Sequence, residues 1–94
     1  MNIENFDNVW DAISETPEEA AHMTLRTQLM IDLQKIVAGW NVPQRESARR
    51  LGITQPRLND LVRGRFNKFS LHALVDLVAK AGMTVHMEVR PRAA

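Results

Sequence analysis

Five residues clustered in the middle of this 94-residue chain have side chains suited to reading a flat, hydrogen-bonding surface: Thr54, Gln55, Arg57, Asn59 and Asp60. A carboxamide holds a donor and an acceptor side by side, and a guanidinium holds a planar fork of donors. Gln and Asn can therefore pair bidentately with the edge of adenine, and Arg with guanine. Arg57 suits a phosphate equally well. Asp60 suits orienting a neighbour or excluding a base. On either side lie Gln44 and Arg45, then Arg63, Arg65, Asn67 and Lys68. These are donors of the kind that hold phosphate oxygens and fix register without reading sequence.

Such side chains work only if something presents them together. Residues 44–63 read Gln-Arg-Glu-Ser-Ala-Arg-Arg-Leu-Gly-Ile-Thr-Gln-Pro-Arg-Leu-Asn-Asp-Leu-Val-Arg. The pattern predicts two short helices joined by Gly52-Ile53-Thr54. Ala48 is small enough for a close crossing, and Gly52 suits a turn with φ > 0. Leu51, Ile53, Leu58 and Leu61 fall where they lock the second helix on the first. This is the spacing of a helix-turn-helix. In that motif the second helix enters the major groove of DNA with its N-terminal residues toward the bases. Gln44 and Arg45 open the first helix, where free N–H groups and the positive dipole end favour phosphate.

Composition narrows the class. The length allows one domain, and 45% apolar residues suffice for a small core. With no cysteine there is no disulfide framework, thiolate metal site or Cys nucleophile. Apolar runs reach only two or three residues, too short to span a membrane. The start has neither a charged n-region nor an apolar h-region, so the expectation is a cytoplasmic protein without a secretory signal. His22, His72 and His86 lie far apart, so no metal site is expected. Ser47 and Ser70 lack a nucleophile-elbow context, and the four isolated glycines form no phosphate loop. No cofactor, small-molecule ligand or catalytic activity is expected.

The net charge of +1 conceals an asymmetry. Residues 1–40 hold seven acids and two bases, a net of −5; residues 41–94 hold ten bases and four acids, a net of +6. Opposite ends of this kind suit different partners: a polyanion for the basic part and something basic for the acidic part.

Three regions follow. Residues 1–15 contain Phe6, Val9, Trp10 and Ile13 at helical spacing, one face of a short helix. Residues 16–82 hold the helical domain, including the motif at 44–63. There Thr16, Pro17 and Glu19 form a helix start with a capping box, and the helix is expected to stop at Gly39. Ser70 caps a last helix ending at Gly82, with Phe69 and Leu74 placed as a hydrophobic staple. Trp40 is expected to pack under the motif, and the methionines to fill core. In residues 83–94 the period changes to two. Val85, Met87 and Val89 alternate with Thr84, His86, Glu88 and Arg90, the pattern of one strand. A lone strand needs partners for its backbone. Either the same strand of a second copy, antiparallel about a two-fold axis, or residues 2–6 of the same chain would serve; with neither, the tail frays.

With these words in place the chain resembles the Xre/Cro-like helix-turn-helix regulators, and more narrowly the HigA-type antitoxins of toxin–antitoxin pairs. The resemblance rests on Val9-Trp10-Asp11-Ala12-Ile13, Thr16-Pro17-Glu18-Glu19-Ala20-Ala21 and Leu25-Arg26-Thr27-Gln28-Leu29-Met30, then on residues 51–61, Arg63-Gly64 and Phe69-Ser70-Leu71. It covers residues 6–90. It implies an all-α, lambda-repressor-like bundle of four to five helices plus the C-terminal strand. It also implies a homodimer that represses its own operon on double-stranded operator DNA and neutralises a HigB/RelE-like ribonuclease toxin. Such toxins are generally basic, so Phe6, Val9, Trp10, Asp11 and Ile13 become the toxin-contacting candidates, in a helix-in-groove mode. The sequence departs from similar ones at Pro43, where a Thr or Ser N-cap is usual; losing that cap costs about 1 kcal/mol. The alternatives are a stand-alone regulator without a toxin and an interaction adaptor that does not bind DNA.

Overall fold

The computed structural model describes residue 13 and residues 16–92. Its helices are α1 (Pro17–Trp40), α2 (Gln44–Leu51), α3 (Gln55–Val62) and α4 (Leu71–Lys80), with a 3-10 turn at Phe66–Lys68 between α3 and α4. The order and the hydroxyl caps match the sequence pattern. Thr16 accepts from the Glu19 N–H at 3.0 Å, Thr54 from Arg57 N–H at 3.2 Å, and Ser70 from Ala73 N–H at 3.0 Å. Each satisfies one of the orphan donors of a helix start. α2 begins at Pro43 without a side-chain cap.

α1 runs one residue past its expected stop. Gly39 stays helical, and the chain leaves at Asn41, with φ 50° and ψ 48°. Asparagine tolerates the left-handed region better than other residues with a Cβ, and its N–H closes on the Ala38 carbonyl at 3.2 Å. Glycine is therefore not the terminator here, although it is at Gly52.

The core gathers one face from every helix. Leu29, Met30 and Leu33 come from α1, Ala48 and Leu51 from α2, and Leu58 and Leu61 from α3. Phe69 and then Leu74, Leu77 and Val78 complete it from the α4 side. Val37, Trp40, Ile53, Phe66, Leu71, Ala81 and Val85 close its edges. α1 packs chiefly on α4, and α2 chiefly on α3. On the first half of α1 the buried positions are Ala20 and Thr24, not the larger Met23 and Leu25.

The expected C-terminal strand is not formed. Residues 83–92 carry no helix or ladder. Val85 is half-buried against the core, while Met87 is 61% and Val89 is 93% exposed. A strand exists only where a second backbone supplies hydrogen bonds, and the described residues of one chain supply none. Residues 2–6, the intrachain candidate, lie outside the described residues, as do Phe6, Val9, Trp10 and Asp11. Ile13 is helical and 65% exposed.

Leu33 sits at the centre of this packing with no exposed surface. Leu33→Ala should lower unfolding free energy by about 2–5 kcal/mol, read from the urea midpoint. A loss below about 1 kcal/mol would place Leu33 at a site that collapses freely, contrary to this core.

Candidate nucleic-acid interface

α2 packs chiefly on α3, and two of its three buried side chains are small. Ala48 is 3% and Ser47 is 1% exposed. The turn between them is a closed unit. Gly52 adopts φ 68°, and the Ile53 N–H returns to the Ala48 carbonyl at 3.0 Å. Ile53 folds against the core edge, and Thr54 starts the next helix. The buried Ser47 was not evident in the sequence, because nothing distinguishes an inward serine from an outward one on so short a helix.

α3 is seated by Leu58 and Leu61, both fully buried, and is held at its far end by a side chain from α1. Gln34 Nε2 donates to the Leu61 carbonyl at 2.9 Å and to Val62 at 3.2 Å. These are among the orphan carbonyls of a helix end. Gln34 was missed in the sequence. The signal for it was a carboxamide set among Met30, Leu33 and Val37, on the stripe that faces the core. Gly64, two residues beyond Val62, has φ 74°, and a Cβ there would lie 3.5 Å from that same Nε2.

The predicted base-reading residues lie along α3. Thr54 and Gln55 are exposed at its start, and Gln55 has no side-chain partner among the described residues. Asn59 Oδ1 accepts from Arg63 Nε at 3.3 Å. Asp60 pairs with Arg65 at 2.9 Å, its own side chain only 18% exposed. Arg57 is turned along the protein surface. Its NH1 donates to the Lys68 carbonyl at 2.7 Å, and its guanidinium carbon lies 4.0 Å over the Phe69 ring. The loop after α3 therefore folds back beside the helix, bringing Asn67 and Lys68 next to it. Gln44 and Arg45 stand exposed at the start of α2, Arg63 at the end of α3.

Not every cation of the motif is free. On α2, Glu46 binds Arg49, with Arg49 Nε to Glu46 Oε2 at 2.8 Å, and meets Arg50 at 3.3 Å. Arg50 also lies 5.1 Å over the Trp40 ring. The hydrogen bond from Arg49 holds the Glu46 carboxyl well below its ordinary 4.5, at about 2, with partial desolvation opposing and the Arg50 bond assisting.

A family of helix-turn-helix domains matches this sequence over residues 12–90. The chain belongs to the helix-turn-helix domain family. The match spans α1 to α4 and the residues beyond them up to 90, so this helix-turn-helix domain includes far more than the two crossing helices. No curated protein matches the sequence. No described helix is long and apolar enough to cross a membrane.

Because folding lowers the Glu46 pKa, its contribution to stability is present above about 4.5 and fades as pH falls toward about 2. In a carboxyl NMR titration Glu46 should have its midpoint at about 2, and Arg49→Ala should return it toward 4.5. A midpoint near 4.5 in the unmodified domain would mean the Arg49 bond is not populated in solution.

Proposed function

We propose that this domain is a sequence-specific regulator that docks α3 in the major groove of double-stranded DNA and represses transcription. The observation that carries the reading is the exposed Gln55 at the start of a helix fixed at both ends, by Thr54 and by Gln34. Beside it runs a cationic loop. Preorganised donors at the N-terminus of a rigid helix are what base readout requires. Gln55 reads an adenine edge, with Thr54 and Asn59 next to it. Gln44, Arg45, Arg63, Asn67 and Lys68 hold the phosphates. The domain acts by binding, without a catalytic step of its own, in the cytoplasm.

The acting unit in this reading is a homodimer. Residues 84–90 supply a self-complementary strand. An antiparallel two-fold at Met87 sets Glu88 opposite His86 of the partner subunit, and Val85 opposite the partner's Val89. The exposure of Met87 and Val89 in the single chain favours such a mate. Half-sites then lie about 34–36 Å apart, one turn of DNA.

An antitoxin role follows from the resemblance in residues 9–30 and from the charge asymmetry. Its partner is a basic HigB/RelE-like ribonuclease, gripped by the acidic N-terminal segment that contains Asp11 and the exposed Ile13. Co-expression with a ribonuclease encoded beside it should relieve growth arrest. Undiminished arrest, with the domain present, would leave a regulator without a toxin.

The deciding experiment titrates the full chain against a labelled fragment of its own upstream region, with random DNA as competitor, at two salt concentrations. Saturable binding that prefers the upstream fragment is expected; equal binding to random DNA would point to an adaptor instead. Gln55→Ala should cut the preference for the upstream fragment by roughly 1–3 kcal/mol, about the value of one bidentate base contact. Arg45→Ala with Lys68→Ala should weaken all DNA alike and flatten the salt slope by about two. An unchanged slope would remove both residues from the DNA backbone.

A further inference from the structure

The polar side chains of α3 differ in how committed they are to the protein itself. Gln55 has no side-chain partner among the described residues, Asn59 shares its oxygen with Arg63, and Asp60 is paired with Arg65. Arg57 is the most committed. Its guanidinium stacks at 4.0 Å on Phe69, a ring only 1% exposed, and its NH1 reaches the Lys68 carbonyl at 2.7 Å. Arg65 makes the reverse link. Its N–H donates to the Asp60 carbonyl at 3.0 Å and its side chain to the Asp60 carboxylate at 2.9 Å. The loop is thus tied to α3 at two points, by a guanidinium reaching from the helix and by another reaching from the loop.

We infer that Arg57 is a positioning residue, which fixes where Asn67 and Lys68 meet the DNA, and that it reads no base. This rests on the DNA-binding reading above. A base contact would require Arg57 to leave both the ring and the carbonyl, exchanging a cation–π contact and a charge-assisted hydrogen bond for new ones of similar strength. Left in place, it does something a base reader does not. The acceptor is the backbone of Lys68 itself, so the origin of the Lys68 side chain is set relative to α3. Phosphate-holding and base-reading groups then share one rigid frame. The other side of the join is held too, since Arg26 NH1 approaches the Phe69 carbonyl at 3.5 Å.

The test uses the full chain, with Arg57→Met, which keeps an apolar stem over the ring, and Arg57→Lys, which keeps a charge there without the fork. In the free protein, Arg57→Met should speed amide exchange at Lys68 and Phe69 by about tenfold or more while the core amides of α1 and α4 stay protected. Arg57→Lys should fall between the two. Selection from a pool of random duplexes should return the same preferred sequence for the unmodified protein and for Arg57→Met, with affinity lower by about three- to tenfold. Lys68→Ala should flatten the salt slope by about one in the unmodified background and by much less in Arg57→Met. A purely structural role would leave that difference at zero.

Loss of preference at one base position in Arg57→Met would make Arg57 a base reader and overturn the inference. So would equal flattening by Lys68→Ala in both backgrounds, or unchanged exchange at the loop amides. If the unmodified protein selects no sequence at all, the DNA reading itself falls, a result separate from any of these.

Discussion

A helix of eight residues does not hold itself together in water, and both α2 and α3 have that length. Everything these two helices present must therefore be made rigid by what lies around them. α3 receives this support in three ways. Leu58 and Leu61 are wholly buried beneath it, Thr54 closes its first turn, and Gln34 satisfies its last carbonyls. The long α1 works as a scaffold from which the motif is hung, since it supplies both core side chains and the polar clamp. Remove the clamp and the Val62 carbonyl loses the Gln34 donor, while the Leu61 carbonyl keeps its backbone bond from the Gly64 N–H; remove the leucines and the helix has no floor.

Electrostatics follow the same logic of restraint. The motif region is rich in arginine, yet much of that charge is already engaged. Arg49 and Arg50 are drawn to Glu46, and Arg65 to Asp60. Exposed ion pairs contribute little to stability, so their consequence is mainly spatial. They decide which cations stay available and where the rest are held. Gln44, Arg45 and Lys68 remain presented to solvent, as does Gln55, which has no side-chain partner among the described residues.

Much of this architecture was legible because its signals are local. Thr16 before Pro17, Thr54 before Gln55 and Ser70 before Leu71 are hydroxyls at helix starts, and each caps as its position implies. Gly52 between two apolar clusters marks the tight turn. What escaped depends on distance in the chain. Gln34 meets Leu61 and Arg57 meets Lys68 only after the helices have packed, and no spacing rule links them. Asn41 replaced Gly39 as the end of α1 because a helix tolerates a glycine when packing continues beyond it, here through Trp40. The alternation at 84–90 is a real period, but period describes side chains. Whether a strand forms is a question about backbone partners, and the described part of one chain has none to offer.

That unpaired segment also bears on how the protein avoids clumping. A backbone segment whose N–H and C=O groups form no ladder among the described residues, and whose Val85 packs against the core, is a template on which unrelated chains can add strands. Its sequence limits the hazard. Glu88, Arg90 and Arg92 interrupt the apolar positions with charge, and Pro91 has no N–H to continue a ladder. Open-ended stacking is therefore blocked at one end by chemistry and at the other by the globular body, while a short reciprocal pairing is still admitted. The tail is incomplete for want of a backbone partner, and these few residues keep it from becoming sticky.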